Sequence, residues 1–524
     1  MKFLSNKYFK ILAVISILLV SGFLRLYRIT DLTIWEGDQG SDFLVAQQIL
    51  HGQSQTLVGP PLNVTNFYTP PTYYYLLALF LGIVKTPLYV AILFAGLNII
   101  AGIFIFLLIG RLFDFVTGVF SLVLFSLSSV MIMNAQSVYQ PHPVIFFITA
   151  SWYLLWEAWR KKNLALLTIS NAIFIIGASI YPAPWLLAPY FFVKNVQLIR
   201  RSASRTKNSY TIIVSVMFIG LIVYFPQIIF EVSHGYPMTK TILHSALGIP
   251  FDLTFISDYI IYFEQIILQF FNLDNIITPH QIPFVSSALI SLFILTIILS
   301  RRTVKTLRLN IRHAYQTVWT FMNPLWLCVC FIPVVFFWEN AFHRLNVYYP
   351  LLLIMFVVCA KIAYVGHSWL LKYIVILLFC VYCFGALASY HTTLANHTIS
   401  EYKETETIAD FILQDSRKRK LSNSFGVFYY TPYGYGNYNA PAVFYFLQQE
   451  SSYHPQFLSP YWTDKSTVNS ATTDAAYLIC RYYETIEDIM SRCRNMFLLW
   501  NPLYHVAEEK IFPLEQLFIL TKTP

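Results

Sequence analysis

The chain has 524 residues, of which 57% are hydrophobic, 18% aromatic and only 12% charged, with a formal net charge of +9. That balance excludes an ordinary soluble enzyme, because apolar runs long enough to cross a bilayer recur from about residue 8 to residue 390. The positive charge does not indicate nucleic-acid binding, since most basic residues fall in short clusters between the apolar runs, where they report topology.

Lys2, Lys7 and Lys10 precede the first span, over about 8–27, and place the N-terminus inside. The segment lacks a small-residue cleavage site, so it is expected to stay as an anchor. Arg25 and Arg28 then fall on the outer side, where they either snorkel to the interface or are held by an anionic partner. Residues 30–84 form the first outer loop. It opens with WEGDQGSD (Trp35 to Asp42), three carboxylates and two glycines in eight residues, followed by the apolar FLVAQQIL and Gly52. Ser41 as N-cap and Gly52 as C′ residue predict a short helix over 42–51. Asp38 would sit in the loop leading into it, and Asp42 in its first turn. Asp38 is either a carboxylate base facing a cleft or a solvated loop charge; Glu36 and Asp42 read more simply as solvated or dipole-paired carboxylates.

Residues 71–84 are apolar but short for a span. Arg111 and the cluster Arg160, Lys161, Lys162 both look cytoplasmic, so the number of crossings before Arg111 is even. The segment should therefore lie in the outer interface without crossing, its tyrosines at headgroup level. A second outer loop, NAQSVYQPHP (Asn134 to Pro143), lies between spans over about 113–133 and 142–159. Further spans are expected over about 163–181, 183–199 and 209–230, then an outer segment with an interfacial helix over 256–271. Spans over about 282–300, 317–338, 346–365 and 370–390 bring the total to about eleven and leave the C-terminus outside.

After residue 390 the composition becomes that of a small α/β unit. An amphipathic helix is predicted over 401–415, with Ile408, Phe411 and Ile412 on one face, strands over 424–431 and 475–480, and a helix over 442–449. The expected organisation is a membrane part, 1–390, and an external α/β domain, 391–524. Cys480 and Cys493 could pair in an oxidising compartment, whereas the other five cysteines lie in apolar spans as packing residues.

An acidic first outer loop, interfacial helices and an external tail on a membrane body resemble the GT-C glycosyltransferases that use polyprenyl-phosphate sugars. The likeness is to the bacterial branch related to protein O-mannosyltransferases and aminoarabinose transferases. It rests on the acidic loop around Asp38, ILHG (Ile49 to Gly52), PPTYYYLLA (Pro70 to Ala78) and HRLNVYYP (His343 to Pro350). The resemblance implies that Asp38 matches the first-loop aspartate acting as general base. An ordinary aspartate, with pKa about 3.9, is ionised at neutral pH and can take a proton from an acceptor hydroxyl. Attack from the face opposite the phosphate inverts the sugar. Arg344, beside His343 and ahead of Tyr348, Tyr349 and Pro350, resembles an Arg–Tyr–Pro pattern that clamps the lipid phosphate; the simpler alternative is an arginine facing headgroups. Some relatives carry a lysine where this chain has Thr69, Pro70 and Pro71, so that phosphate contact is absent or moved, with Arg25 and Arg28 the alternatives. Several relatives place in the second outer loop an acid that could help hold a metal. Here Tyr139, Gln140 and His142 stand there instead, which favours a metal-independent reaction, with Asp38 the residue left for a lone divalent ion. Glu36, Asp42, Gln140, His142, Tyr348 and Tyr349 are the acceptor and sugar-site candidates.

The implied partners are a lipid-linked sugar donor, membrane lipids and a protein, lipid or glycan acceptor, met on the outer face of the plasma membrane. A transporter or flippase would place charges near the membrane midplane and show paired halves. A polysaccharide polymerase would carry arginine-rich outer loops. The outer loops here are acid-rich, which favours single sugar transfer.

Overall fold

The structure is a computed structural model describing residues 7–62, 67–201, 207–247, 267–273, 276–277, 281–306, 345–366, 368–396, 400–421, 425–430, 440–448, 456–457, 475–481, 493–495, 498, 504–513 and 515–522. The first helix, α1 (Lys7–Leu26), leaves Leu12, Leu19 and Phe23 exposed, the surface of a helix whose solvent is lipid. After a single turn, α2 (Ile29–Leu32), comes α3 (Gly37–Leu50), then α4 (Thr72–Val84), which packs against it. With 13 residues, α4 is only about 20 Å long against a hydrocarbon core of about 30 Å, too short to cross unassisted.

Helix α5 (Pro87–Leu112) is the central post, in contact with α1, α4, α6 (Phe115–Leu127), α7 (Ser129–Gln136) and α8 (Val144–Lys161). Its approach to α6 is close because both helices offer glycine: a Cβ on Gly118 would lie 3.0 Å from the Gly110 Cα and 2.9 Å from the Phe106 carbonyl oxygen. Between α6 and α7 the axis bends by 59° at Ser128, so the span expected over 113–133 is not one straight helix. Ser128 caps the new start through Met131 N–H, and Asn272 Oδ1 accepts from Ser129 N–H and Oγ, each at 2.9 Å. These side chains satisfy the backbone that the break releases.

Helix α8 turns back into α9 (Leu164–Ile180) through Lys162 in the left-handed region, φ 52°, and Asn163, whose Oδ1 caps Leu166 N–H. The span expected over 183–199 is divided: a 3₁₀ turn (Ala183–Leu187) runs into α10 (Ala188–Arg201). Next come α11 (Lys207–Ser233), α12 (Pro237–Leu247), α13 (Ile282–Thr306), α14 (Leu345–Val365) and α15 (Trp369–Asn396). Among the described residues, four helices are long and apolar enough to cross a membrane, and the bent α6–α7 pair would be a fifth. The expected total of about eleven also counted shorter or more polar helices and stretches outside the described residues. Helix α9 is short, and α8 carries Glu157, Arg160 and Lys161 at its end. The span expected over 317–338 and all but the end of the helix expected over 256–271 lie outside the described residues. Helix α15 continues past residue 390 to Asn396 and meets the 270s closely, since a Cβ on Gly385 would sit on the Phe271 carbonyl oxygen.

The C-terminal unit follows the expected pattern and exceeds it. Helix α16 (Glu401–Lys418) buries Ile408 and Ile412, and α17 (Ala440–Gln448) lies against it. Five strands, β1 (Gly426–Tyr430), β2 (Gln456–Phe457), β3 (Ala475–Arg481), β4 (Tyr504–Ile511) and β5 (Glu515–Lys522), form one sheet in the order β2-β1-β3-β5-β4. The β2-β1-β3 side is parallel, and the β3-β5-β4 side antiparallel. Alternate residues divide the sheet between two cores. Val427, Tyr477, Ile479, Leu517 and Ile519 join the large core that includes α16, whereas Phe428, Leu478, Phe518 and Leu520 form a second one with Cys480 and Cys493. Those two cysteines are joined in a disulfide, with Cα atoms 6.3 Å apart.

Candidate active site

Helix α3 begins five residues before the expected start. Glu36 is its N-cap, not Ser41, and Glu36 N–H donates to Gln39 Oε1 at 3.1 Å, one half of a capping box. Asp38 therefore lies in the first turn rather than in a loop, half-exposed, while Asp42 lies one turn further along the same face and is buried. Asp42 is thus no partner for the helix dipole, whose reach ends with the first turn.

The tyrosines of α4 complete the site, although they were expected at headgroup level. Tyr73 is fully buried and Tyr74 nearly so; of the three, only Tyr75 is exposed. The Tyr74 hydroxyl neighbours the Asp42 carboxyl. Burial, and then the neighbouring Asp38, push the Asp42 carboxyl well above the usual carboxylate range, against the opposing effect of the Tyr74 hydroxyl. Tyr73 and Tyr139 are raised by burial first, and then by Asp42 and Asp38 respectively. The Tyr73 hydroxyl oxygen is buried with no hydrogen-bond partner among the described residues. Tyr139 is also within the fields of Glu36, Asp42 and Tyr181. Glu36, Asp38, Asp42, Tyr73, Tyr74 and Tyr139 thus form one cluster where α3, α4 and the second outer loop meet.

The second outer loop is pinned so that Tyr139 faces this cluster. Gln140 Nε2 donates to Thr69 Oγ1 at 2.9 Å and to the Ile180 carbonyl at 2.7 Å, tying the loop to the link before α4 and to the end of α9. Both amide protons are engaged, so Gln140 acts as a staple. The His142 ring lies edge-on to Tyr139, centroids 5.5 Å apart, with Nδ1 2.8 Å from the Ser137 carbonyl.

Several expected phosphate ligands are placed elsewhere. Arg25 is fully buried, with Nε on Asn98 Oδ1 at 2.8 Å, Nη1 on Ser21 Oγ at 2.8 Å and on the Ser126 carbonyl at 3.2 Å, and Nη2 on the Phe125 carbonyl at 3.2 Å. It neither snorkels nor presents its fork to a phosphate; it joins α1, α5 and α6. Arg28 pairs with Asp31 at 3.2 Å, and its Nη1 reaches the Leu394 carbonyl at 3.4 Å. Tyr349 is sealed in the core, its hydroxyl 2.6 Å from that of Tyr382, so it lines no groove for sugar. His343 and Arg344 lie outside the described residues, and Tyr348 is described only as part of α14.

Sequence reasoning passed over Tyr74 as the partner of Asp42. It also passed over Trp35, which is 2% exposed and surrounded by the rings of Phe43, Tyr402, Tyr445 and Phe446. The adjacency of Trp35 to the acidic run was visible in the sequence; its distant partners Tyr402, Tyr445 and Phe446 were not.

No family model matches the sequence, and no curated protein does. The fold is another matter. The apo oligosaccharyltransferase of Archaeoglobus fulgidus superposes with a TM-score of 0.50 at 10% identity, over 94% of this chain and 71% of that one. This chain has the GT-C fold. Two further structures align with it, each at a TM-score of 0.48. ArnT from Cupriavidus metallidurans bound to undecaprenyl phosphate is 12% identical over 97% of both chains. The A. fulgidus oligosaccharyltransferase AglB, with an inhibitory peptide and a dolichol-phosphate, is 11% identical over 94% of this chain and 71% of that one. In this GT-C protein the acidic cluster belongs to the first helical loop of the membrane body. Among the described residues no group of three or more His, Cys, Asp or Glu side chains could hold a metal ion.

Proposed function

We propose that this protein is a membrane glycosyltransferase that moves a sugar from a polyprenyl-phosphate carrier to an acceptor hydroxyl on the outer face, with inversion, and that Asp38 is the general base. The observation that carries the proposal is the unequal pair on α3: Asp38 half-buried, and Asp42 one turn away, buried beside Tyr74. Two nearby carboxyls with unlike environments divide acid and base roles. The buried one keeps its proton, and the half-buried one accepts the proton of an incoming hydroxyl. As the acceptor oxygen bonds to the anomeric carbon, the bond from that carbon to the carrier phosphate breaks and the phosphate leaves with the electron pair. The unpartnered Tyr73 hydroxyl supports the same reading, because a buried donor of this kind calls for a partner from a bound molecule or water.

Arg344 is proposed as the phosphate clamp, resting on the HRLNVYYP resemblance. Arg344→Ala should weaken binding of the lipid-linked donor, and unchanged donor affinity would return it to a headgroup anchor. We propose that the reaction needs no metal. Chelation should leave turnover intact; loss on chelation with recovery on adding a divalent ion would make Asp38 a ligand instead. The protein, lipid or glycan class of the acceptor is open to the same assay. Purified protein in nanodiscs, given radiolabelled polyprenyl-phosphate sugars and candidate acceptors, should transfer label. Label that crosses the membrane still attached to its carrier would instead favour a flippase.

A further inference from the structure

We infer that Trp35 is a positioning residue, through which the C-terminal unit holds the carboxylate of Asp38 in place; this rests on the general-base reading above. Local forces hold the start of α3 weakly. Its first turn contains Gly37 and Gly40 on either side of Asp38, and glycine supports a helix less well than alanine. The capping box supplies one local restraint. The remaining rigidity is tertiary: α4 packs along the helix, and the far end of the chain grips its start.

Trp35 precedes the N-cap residue directly. Its Nε1–H donates to the Ala442 carbonyl in α17 at 3.2 Å. Its ring meets Tyr445 and Phe446 of α17 with centroids 5.5 Å away, and Tyr402 of α16 at 5.4 Å. On the other side of Asp38, Phe43 packs on Trp35 at 5.4 Å and on Tyr445 at 5.6 Å. The acidic turn is therefore gripped before and after by one aromatic cluster, and three of its five rings, Tyr402, Tyr445 and Phe446, belong to the C-terminal unit. Two polar ties brace the same junction: Ser400 Oγ donates to the Thr30 carbonyl at 2.6 Å, and Lys403 meets Asp31 at 2.7 Å. An aromatic group of this size resists small displacements because its rings interlock edge to face. Small displacements of a catalytic group are what a transfer reaction tolerates least.

The test uses full-length protein in nanodiscs with Trp35→Ala, Trp35→Phe, Tyr445→Ala and the Trp35→Ala/Tyr445→Ala double variant. Trp35→Ala should lower kcat by about 10–100-fold while donor KM stays within about twofold, since only the reacting geometry is disturbed. Trp35→Phe keeps a ring and loses one neutral hydrogen bond, so it should stay within about tenfold of wild type. The double variant should fall little below Trp35→Ala, because both changes open the same cluster. Hydrogen exchange of the 37–43 segment should accelerate by about tenfold or more in Trp35→Ala, with the 87–112 helix unchanged. Unchanged exchange over 37–43, or fully additive losses in the double variant, overturns the inference. If wild-type protein transfers no sugar, the functional reading fails, and the exchange experiment still decides whether the clamp exists.

Discussion

Arg25 and the Asp38–Asp42 pair lie close in the chain, and both put charge against a membrane body, yet they are built in opposite ways. Arg25 has its guanidinium surrounded by oxygens of α1, α5 and α6, so its charge is spent inside the protein. On α3 one carboxylate is half-exposed and the other buried, with the unpartnered hydroxyl of Tyr73 close to both. The first arrangement is closed to a third molecule and the second invites one. Charge and position in the sequence did not separate them, since Arg25 and Asp38 both read as outer-side charges with one functional and one bland alternative. Partner supply separates them.

The sharpest way to break this contrast is at Asp38. Asp38→Asn keeps the shape and removes the proposed base, so turnover should fall by about 10²–10⁴-fold with little loss of donor binding. Near-normal turnover in a sugar-transfer assay would remove Asp38 from its role and leave the pair without a base. Arg25 should answer in the other measurement. Arg25→Ala leaves the Phe125 and Ser126 carbonyls and Asn98 without their donor, which should cost on the order of 3 kcal/mol of stability. The folded fraction should still bind donor normally. Arg25→Lys should rescue poorly, because a point charge cannot reproduce the fork. Loss of donor affinity in folded Arg25→Ala would return the residue to the phosphate site.

The contrast also shows what was legible. The membrane class, the acidic first loop and the positions of α16, α17, β1 and β3 followed from period and composition. The start of α3 was misplaced because Gly37 and Gly40 read as loop, whereas the Glu36–Gln39 box and the aromatic packing behind it outweigh them. The bend at Ser128 depends on Asn272, some hundred and forty residues later in the chain. Strand β4 was missed because it is a sheet edge carrying His505, Glu508, Glu509 and Lys510, charged as edges that must avoid pairing usually are. Tyr74 was read as an interface anchor since nothing local says that α4 turns it toward Asp42.

Asp42 allows the pair to be divided further. Its carboxyl is raised by burial and by Asp38, so the folded protein keeps a proton that the unfolded chain releases near pH 4. The folded state then binds more protons, and stability falls as pH rises from about 4 to the folded pKa. Asp42→Asn is always neutral and nearly the same shape. Its Tm relative to wild type should therefore climb across that window, while turnover falls much less than in Asp38→Asn. A Tm difference that does not change with pH would mean that Asp42 is ionised in the folded protein, and the two carboxyls could no longer be assigned separate roles.

The smallest effect is expected at the solvent edge of the same junction, where Asp31 pairs with Lys403 at 2.7 Å and Arg28 at 3.2 Å. The hydrogen bond from Lys403 is the main reason that the Asp31 carboxyl lies below its ordinary range, against the opposing effect of burial. The sign is opposite to that at Asp42: this stabilisation is present above about pH 4 and is lost as pH falls through the folded pKa. Lys403 has 57% of its side chain exposed, so solvent takes back most of the Coulomb gain. Lys403→Ala should cost at most about 1 kcal/mol, and most of that should vanish in molar salt, where the screening length drops to about 3 Å. Turnover should hardly change, because Trp35 and its rings, not this pair, carry the grip on α3. A loss as large as that of Arg25→Ala, or one indifferent to salt, would show that the junction is held by charge rather than by aromatic packing, and Asp31–Lys403 would then take over the positioning role assigned to Trp35.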